Sequence, residues 1–454
     1  MIVSVNPATG EEIARFALDT PEDVERGLAA ATQAQRAWGR RPIAERLPLL
    51  RGLARVLREN RDAHAALITA EMGKPIAEAR GEIEKCALTC DFYADHAEAF
   101  LADRETPSSA ARSAVVHEPL GVVLAIMPWN YPFWQVFRFA APALAAGNGA
   151  VLKHAANVGL CARAIAEVFE TAGAPDGLFQ NLTVEPQAVA GLIGDPRIAA
   201  VTLTGSTEVG AIVAAQAGRA LKKQVLELGG SDPFIVLADA DLERAAEVAV
   251  KARFTNAGQS CVNAKRFIVE DPVADAFVEA FARRVADLKV GDPADPATDI
   301  GPMARANLRE ALHDQVARSL AAGAELRLGG APLDRPGAFY APTLLDQVTP
   351  EMAAFREETF GPVAAVVRAR DAEHALTLAN DTEFGLAASV WTRDAVLAER
   401  MARRIEAGAV FINGLVASDP RLPFGGIKRS GYGRELGDLG IREFTNAKTL
   451  WIGS

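Results

Sequence analysis

After residue 120 the chain alternates short apolar runs with amphipathic segments. The amphipathic segments begin near Asn157, Glu185 and Thr207 and have the hydrophobic spacing of helices. Strands that alternate with helices are typical of a doubly wound parallel sheet, which has helices on both faces. The apolar runs that predict its strands lie at 121–127, 150–153, 199–203, 224–228 and 234–237.

A second series of the same kind follows and predicts a second α/β domain. Its strands are predicted at 266–270, 363–367, 386–391 and 409–413, and its helices at 273–288, 304–323, 371–380 and 394–406. The residues between the two series should lie at a domain boundary. Clefts between domains are where ligand pockets form most often.

The N-terminal part of the chain is different in character. A hairpin is predicted at 2–5 and 12–16, followed by a helix with Thr20 as N-cap and Pro21 at its first position. Long helical segments are predicted at 40–72 and 74–103. The segment at 113–119 is extended and is typical of an arm or an edge strand.

Composition excludes several classes of function. A length of 454 residues with 50% hydrophobic content predicts two or more domains with large cores. A net charge of −10 and a pI near 5.3 exclude a basic face for nucleic acid. No apolar run is long enough to cross a membrane and no signal peptide is recognisable, so we expect a cytoplasmic protein. The four cysteines and six histidines form neither a disulfide framework nor a metal-binding pattern.

Cys261 is the candidate nucleophile, at the end of the small polar run 254–261 and between a helix-like and a strand-like segment. A thiol reacts only if its pKa is lowered or a base takes its proton. Glu227, which ends an apolar run before two glycines, is the candidate base. The alternatives are a cysteine that fills the core and a surface glutamate at a strand end.

Two further stretches suggest a cofactor and an oxyanion site. Thr204 to Gly210 joins a predicted strand to a helix through glycine, which is a typical phosphate site, and Lys153 ends another strand. Asn130 lies in the rigid, aromatic run 128–134, where its amide can donate to an oxyanion. The alternative interpretations are that Thr204 to Gly210 is a loose glycine turn, that Lys153 is an ordinary lysine at a strand edge, and that 128–134 is a hydrophobic plug in which Asn130 forms a turn.

Taken together, these stretches resemble the aldehyde dehydrogenase superfamily over essentially the whole chain. Within the superfamily the chain is similar to bacterial NAD(P)-dependent succinate-semialdehyde dehydrogenases through 134–138, 226–234 and 411–426. The motifs that occur in the family's order and spacing are Pro128-Trp129-Asn130, Lys153, Thr204-Gly205-Ser206, Glu227-Leu228-Gly229-Gly230, Gly258-Gln259-Ser260-Cys261, Glu358-Thr359-Phe360-Gly361-Pro362 and Pro423-Phe424-Gly425-Gly426-Ile427-Lys428.

The resemblance implies an α/β fold of the aldehyde dehydrogenase type, with two doubly wound α/β domains and a β oligomerisation arm. Homodimers or homotetramers are therefore expected. The implied parts are an NAD(P)-binding domain at 1–102 and 120–230, a catalytic domain at 231–433, and the arm at 103–119 and 434–454.

The resemblance also implies the chemistry. Cys261 attacks an aldehyde, Asn130 and the Cys261 backbone N–H stabilise the oxyanion, and Glu227 activates the water that hydrolyses the thioester. NAD or NADP takes the hydride. The cofactor contacts implied by position are Trp129, Lys153, Ala156, Gly205, Ser206, Leu228, Glu358 and Phe360, and no metal is implied.

Three positions depart from the pattern of close relatives. Many NAD-specific relatives carry Glu three residues after the cofactor lysine, whereas Ala156 here has no carboxylate to repel the 2′-phosphate of NADP. Some succinate-semialdehyde dehydrogenases carry Arg six residues before the nucleophile and Cys two residues after it. Thr255 and Asn263 stand there, so we expect an incomplete carboxylate clamp and no disulfide switch.

Arg138 is the candidate for binding the substrate's far carboxylate. It lies in an apolar, aromatic segment, where an unpartnered charge is costly, so an anion must approach it. The expected substrate is succinic semialdehyde, with Trp134 as an apolar wall, Ser418 as a hydroxyl donor and Arg421 as the replacement for the missing arginine. The alternative is an ion pair between Arg138 and an acidic residue of the protein.

Other functions remain to be weighed. Glutaric semialdehyde or a range of aliphatic aldehydes are alternative substrates. A non-catalytic structural relative is disfavoured because Cys261 and Glu227 are both present. A cysteine hydrolase needs a histidine partner, and His154 is the only one in the motif-rich stretches. Enzymes that pass the acyl group to CoA lack the base at the position of Glu227.

Overall fold

The computed structural model describes residues 1–453. The strands are β1 (Ile2–Val5), β2 (Glu12–Phe16), β3 (Arg104–Glu105), β4 (Arg112–Pro119), β5 (Val122–Met127), β6 (Gly149–His154), β7 (Phe179–Asn181), β8 (Ile198–Thr204), β9 (Lys223–Glu227), β10 (Asp232–Val236), β11 (Ala264–Glu270), β12 (Glu325–Leu328), β13 (Thr343–Asp346), β14 (Val363–Ala369), β15 (Ala387–Trp391), β16 (Ala409–Ile412), β17 (Gly431–Tyr432) and β18 (Thr445–Ile452). The helices are α1 (Pro21–Gly39), α2 (Ile43–Glu59), α3 (Arg61–Met72), α4 (Ile76–Phe100), α5 (Pro132–Ala145), α6 (Gly159–Thr171), α7 (Val189–Gly194), α8 (Thr207–Arg219), α9 (Leu242–Phe254), α10 (Asp271–Ala286), α11 (Ala306–Ala321), α12 (Ala353–Arg356), α13 (Ala372–Asn380), α14 (Ala395–Ala402) and α15 (Gly437–Glu443).

The first α/β sheet has the strand order β17-β9-β8-β5-β6-β7. All its pairs are parallel except the short β17, which pairs antiparallel with β9. Every residue of β5 is buried, as expected for a central strand covered by helices on both faces. The carboxyl ends of β5, β8 and β9 therefore open at one edge of this sheet, and the chain segments after them can meet there.

The second α/β sheet has the order β12-β13-β14-β11-β10-β15-β16 and is parallel except for the edge strand β12. The sequence pattern grouped the apolar run 234–237 with the first sheet, and this was wrong. The run falls in β10, which lies between β11 and β15. An apolar strand can pair in either sheet, and Gly229 and Gly230 let the chain leave the first sheet directly after β9.

Most predicted elements are present with shifted ends. The helix that begins after Thr20 is confirmed, with a capping box in which the Thr20 and Asp23 side chains each accept from the other residue's backbone N–H. The predicted helix at 40–72 is interrupted at Asn60 and forms α2 and α3. The pattern missed β7, β12 and β13, because strands of three or four residues carry too little alternation to be recognised.

The N-terminal helix α4 packs against α5, which covers the first sheet, whereas α1 packs directly on β6. Glu82 on α4 accepts hydrogen bonds from the backbone N–H groups of Phe133 (2.9 Å) and Trp134 (3.0 Å) in the first turn of α5. It also forms a buried ion pair with Lys74. This carboxylate caps the positive end of α5 and fixes the register between the two helices.

A separate three-stranded sheet is formed near the C-terminus. β18 pairs antiparallel with β4 along its full length, and β3 pairs with the other edge of β4. Trp451 and Ile452 on β18 are exposed. Among residues 1–453, no helix combines the length and the apolar character needed to span a membrane.

Candidate active site

Two cavities meet at Cys261. One has a volume of about 250 Å³ and is lined by Pro128, Trp129, Asn130, Thr204, Gly205, Ser206, Leu228, Gly229, Cys261, Arg305, Leu308, Glu358 and Phe360. The other has a volume of about 300 Å³, and its lining includes Glu78, Gly81, Glu82, Lys85, Trp134, Arg138, Lys251, Cys261, Ser418 and Phe424. We call them the cofactor cavity and the substrate cavity. A partly exposed thiol at their junction can contact molecules bound in both.

The loop before Cys261 adopts an unusual backbone conformation. Asn256, Ala257 and Gly258 have φ values of 58°, 51° and 73°, in the left-handed region. A Cβ atom at Gly258 would lie 2.2 Å from the carbonyl oxygen of Gly361, so only glycine fits there. Left-handed backbone at two residues with side chains is unfavourable and persists only where surrounding contacts enforce it.

Buried polar side chains supply those contacts. Lys265 donates to the carbonyl oxygens of Ser260 (2.9 Å) and Cys261 (2.8 Å). Gln259 accepts from the backbone N–H of Ala304 (2.9 Å), and the backbone N–H of Asn256 donates to Glu78 (2.7 Å). The loop is thereby fixed from three sides, which holds the thiol in place for attack.

Burial raises the pKa of the Cys261 thiol to about 12, although Arg138 and Lys265 lower it and Glu227 raises it further. At neutral pH the thiol is therefore protonated. A nucleophilic thiolate must be formed by transferring the proton to a base when the substrate is bound.

Glu227 has the properties of that base. It ends β9, is 1% exposed, and neither carboxylate oxygen has a hydrogen-bond partner among the described residues. Burial raises its pKa to about 8, with Arg138 lowering it and Glu435 raising it. A Cβ at Gly425 would lie 2.8 Å from its Oε1, so the glycine leaves room for the carboxylate. Glu227 lines neither cavity in this conformation, but its charge is close enough to raise the pKa of Cys261.

Asn130 lies beside the thiol in the cofactor cavity. Its Nδ2 donates to the backbone carbonyl oxygen of Gln259 at 3.1 Å, and its backbone carbonyl oxygen accepts from Asn256 Nδ2 at 2.9 Å. An amide nitrogen has two N–H donors, so one remains for an oxyanion at the reacting carbon.

The cofactor cavity brings together most of the predicted cofactor residues. Six of the eight line it, namely Trp129, Gly205, Ser206, Leu228, Glu358 and Phe360. Ser206 caps α8, and the N-terminus of this helix opens towards the cavity. Glu358 accepts from the backbone N–H of Gly230 at 3.0 Å and lies 3.4 Å from Lys265, so its carboxylate is held in place. Aromatic faces, a helix N-terminus and a fixed carboxylate fit a dinucleotide.

Lys153 and Ala156 lie elsewhere. Lys153 is on β6, where burial lowers its pKa, and Ala156 lines a separate small cavity with Phe16 and Leu182. The structure does not bring these two residues together with Cys261. Their assignment to the adenosine end of a cofactor stays a prediction.

The predicted substrate residues Trp134, Arg138 and Ser418 all line the substrate cavity. The charge of Arg138, however, is already paired inside the protein. Its guanidinium forms a buried ion pair with Glu435 and donates to Thr204 Oγ1 at 3.3 Å. The alternative of an internal ion pair is therefore what the structure contains.

The side chain of Arg421 is 74% exposed and pairs with Asp419, so it does not line the substrate cavity. Thr255 and Asn263 do line it. Asn263 donates to the carbonyl oxygens of Arg253 and Thr255, each at 2.9 Å, and so supports the loop.

Sequence reasoning missed Lys85 in the substrate cavity and Arg305 in the cofactor cavity. The guanidinium of Arg305 lies 5.9 Å from the ring centre of Trp129, and no local pattern marks it. Lys85 could have been noticed, because Glu78, Glu82 and Lys85 follow the spacing of one helix face in α4. They form a polar stripe beside a buried face that is otherwise mostly apolar.

Comparison with known proteins identifies the family of the chain. The aldehyde dehydrogenase family model matches residues 1–450. The chain is 52% identical over 449 residues to a succinate semialdehyde dehydrogenase [NAD(P)+] of Escherichia coli strain K12, covering 99% of this chain and 97% of the relative. It is 50% identical over 457 residues to a succinate-semialdehyde dehydrogenase [NADP(+)] of Mycolicibacterium paratuberculosis, covering 100% and 97%.

A solved structure is also similar over the whole chain. The crystal structure of succinic semialdehyde dehydrogenase from Streptococcus pyogenes in complex with NADP+ has a TM-score of 0.98 and 38% identity, with full coverage of both chains. This similarity confirms the predicted fold class. With the family match over nearly its whole length, the chain belongs to the aldehyde dehydrogenase family.

Proposed function

We propose that the protein oxidises succinic semialdehyde to succinate with NAD or NADP as the oxidant. The observation that carries this proposal is that Cys261 is shared by a cavity lined by a helix N-terminus and the carboxylate of Glu358 and by a second cavity containing cationic side chains. The relatives named succinate-semialdehyde dehydrogenases, at 50 to 52% identity, support the choice of substrate.

The first half of the reaction forms a bond between sulfur and carbon. Glu227 takes the thiol proton as Cys261 attacks the aldehyde carbon, and the carbonyl oxygen becomes an oxyanion. The free N–H of Asn130 and the backbone N–H of Cys261 stabilise that charge. When bound, NAD or NADP supplies the hydride acceptor that converts the thiohemiacetal to a thioester.

The second half is hydrolysis of the thioester. After Glu227 has released the thiol proton to solvent, it takes a proton from water, the hydroxide adds to the acyl carbon, and the leaving Cys261 thiolate takes that proton back from Glu227. A carboxylate with a pKa of about 8 is a stronger base than an ordinary glutamate, which suits proton abstraction from water near neutral pH.

The contacts of the cofactor are proposed from the cavity that holds Cys261. The N-terminus of α8 at Ser206 would face phosphate, and Glu358 would accept from ribose hydroxyls. Trp129 and Phe360 would flank the nicotinamide side. Ala156 presents no carboxylate, so the 2′-phosphate of NADP is not repelled there, and the names of both relatives include NADP.

A substrate panel tests the proposal. Purified enzyme is mixed with NAD or NADP and with succinic semialdehyde, glutaric semialdehyde or butanal, with and without CoA, and the reduced cofactor is followed by absorbance. We expect the highest kcat/KM for succinic semialdehyde and no dependence on CoA. A preference for glutaric semialdehyde or for uncharged aldehydes would replace the proposed substrate, and a CoA requirement would replace hydrolysis with acyl transfer.

We also propose a cytoplasmic homodimer or homotetramer assembled through the sheet of β3, β4 and β18. The proposed location is supported by the four free cysteines, because thiols stay reduced in the cytoplasm. Supporting the assembly, β18 presents exposed apolar side chains, Trp451 and Ile452, on an edge strand. Such an edge can accept a strand from another copy.

A further inference from the structure

Lys265 is the second residue of β11 and lies at an irregularity of the second sheet. Asp232 of β10 pairs with Ala264, and Pro233 pairs with Arg266, so Lys265 is an extra residue between the two pairs. A bulge of this kind re-aims a side chain and is common beside active sites. The side chain of Lys265 accordingly extends back to the loop that precedes β11.

The Lys265 ammonium joins three segments of the chain. Its Nζ donates to the carbonyl oxygens of Ser260 at 2.9 Å and Cys261 at 2.8 Å, and it lies 3.4 Å from Oε1 of Glu358. The same Glu358 oxygen accepts from the backbone N–H of Gly230 at 3.0 Å. A Cβ at Gly230 would lie 2.7 Å from the carbonyl oxygen of Cys261, so a side chain there would push the segments apart. The loop that carries the thiol, the glycines after β9 and Glu358 therefore share one cation.

Lys265 acts only through these neighbours, because it is fully buried and lines neither of the two cavities. An ammonium has three N–H donors, and its three oxygen neighbours can accept all of them. Burial lowers the pKa of Lys265, whereas Glu358 and Asp232 raise it and Arg253 lowers it further. A buried ammonium is costly unless its donors are satisfied, so the cation and these oxygens hold one another in place.

The hydrogen bond to Ser260 acts directly on the oxyanion site. The carbonyl of Ser260 and the backbone N–H of Cys261 belong to one peptide unit, which is planar. Holding the carbonyl at Lys265 therefore also sets the direction of that N–H, which points the opposite way across the peptide bond. A charged donor on the carbonyl also polarises the peptide unit, which strengthens the hydrogen bond that its N–H can donate.

Four charged groups act on the thiol of Cys261, whose pKa is raised mainly by burial. Arg138 from α5 and Lys265 from β11 lower this pKa, whereas Glu227 from β9 and Glu358 from the segment before β14 raise it. The charge of Arg138 is already paired in a buried ion pair. Lys265 is the one of these two cations that contacts the backbone of the nucleophile itself.

We propose that Lys265 is a positioning residue shared by the nucleophile and the cofactor: its ammonium orients the backbone of Cys261 for attack and fixes the carboxylate of Glu358. This inference rests on the proposed function, in which Glu358 accepts from ribose hydroxyls of NAD or NADP. Because one cation holds both groups, the thiol, the oxyanion donor and the site of the hydride acceptor are aligned before the aldehyde enters.

The test uses three variants of the full-length enzyme. Lys265→Met removes the ammonium, and Lys265→Arg keeps a charge at the same position. Arg266→Met is the matched control, because Arg266 is the next residue of β11, is equally buried and also donates to backbone carbonyls, those of Ser231 and Leu378. Its loss should cost similar stability without releasing Cys261.

Two measurements need no aldehyde. Alkylation of Cys261 by iodoacetamide is followed by mass spectrometry between about pH 7 and 9, where the other three cysteines are protected by burial. Lys265→Met should slow it about tenfold at each pH, because the thiolate loses a neighbouring cation. Calorimetry should show dissociation constants of NAD and NADP raised about three- to tenfold, because Glu358 loses the partner that fixes it. Lys265→Arg should recover a large part of both losses.

Steady-state kinetics separate this role from aldehyde binding. In Lys265→Met, kcat should fall about tenfold or more for succinic semialdehyde and butanal alike, because the oxyanion donor is misdirected. KM for either aldehyde should change by no more than about threefold, because Lys265 lines neither cavity. Arg266→Met should lower the midpoint of urea unfolding as much as Lys265→Met, yet change alkylation and cofactor dissociation by no more than about threefold.

Three outcomes would overturn the assignment. Unchanged alkylation and cofactor binding in Lys265→Met would leave Lys265 a structural role only, and a change in one without the other would exclude a shared anchor. Equal effects of Arg266→Met would attribute the losses to weakened packing. If Lys265→Met does not fold, Lys265→Gln, which also lacks the charge, takes its place with the same expected loss of alkylation. If the unaltered enzyme does not oxidise succinic semialdehyde, the proposed substrate fails, whereas alkylation and cofactor binding still decide the role of Lys265.

Discussion

Replacing Arg138 with methionine should damage the enzyme for both kinds of aldehyde rather than for succinic semialdehyde alone. The guanidinium and the carboxylate of Glu435 form an ion pair in which the two side chains are 2% and 4% exposed. Removing one partner of such a pair leaves an uncompensated buried charge and costs about 3–5 kcal/mol of unfolding free energy. The midpoint of urea unfolding should therefore fall markedly.

The catalytic loss follows from the same electrostatics. Arg138 lowers the pKa of Glu227, whereas Glu435 raises it. Without Arg138 the pKa of Glu227 should rise above about 8, and each unit of increase makes the carboxylate about tenfold less available as a base at neutral pH. Because Glu227 acts after either substrate has bound, kcat should fall for succinic semialdehyde and for butanal alike, and raising the pH should restore part of it.

The stability deficit should also depend on pH. Burial already raises the pKa of Glu435, and losing Arg138 raises it further above the unfolded value of about 4.3. Between pH about 4.3 and the raised pKa of Glu435, the folded variant binds more protons than the unfolded chain. Its stability therefore falls as the pH rises through this range. The deficit relative to the unaltered enzyme should be smaller near about pH 5 than at neutral pH.

A double variant provides the control. Arg138→Met combined with Glu435→Gln removes both charges and should recover most of the lost unfolding free energy. The reasoning would be refuted if Arg138→Met kept its urea midpoint and its butanal kinetics but lost activity on succinic semialdehyde. Arg138 would then be the carboxylate receptor that the sequence suggested.

Three other predictions concern the base, the cofactor and the arm. Glu227→Gln should slow the first turnover of reduced cofactor and slow the following steady state still more in stopped-flow experiments, because the Cys261 thiol and the hydrolytic water both lose their base. In the unaltered enzyme kcat should rise with pH and level off above about pH 8, and this rise should be absent from the variant. An unchanged steady-state rate would exclude Glu227 as the base. Ala156→Glu should weaken NADP relative to NAD by about 1–2 kcal/mol through like-charge repulsion, and an unchanged ratio of dissociation constants would move the adenosine ribose away from this residue. Trp451→Lys should reduce the mass measured by light scattering, whereas Val396→Lys, on the exposed face of α14, should not; identical masses would argue against assembly through β18.

The agreement between sequence and structure at the cofactor cavity has a simple cause. Asn130, Gly205 and Leu228 each follow the carboxyl end of a parallel strand of the first sheet, namely β5, β8 and β9. The alternation of strands and helices made that sheet predictable, and the ends of parallel strands share one edge. Local motifs were therefore sufficient to predict that these residues would meet. The ordered set of motifs was likewise sufficient to indicate the family.

The sequence could not assign charges to their partners. It showed that Arg138, in an apolar segment, requires an anion, but Glu435 is far along the chain and no periodic pattern links the two. Lys85 and Ser418 are separated by 333 positions and meet only because α4 packs against α5 and the C-terminal loops fold over them. Local patterning thus indicated the elements, the candidate nucleophile and the candidate base. Tertiary packing alone decided which cation is neutralised inside the protein, since the burial and pairing of charges depend on contacts between distant segments.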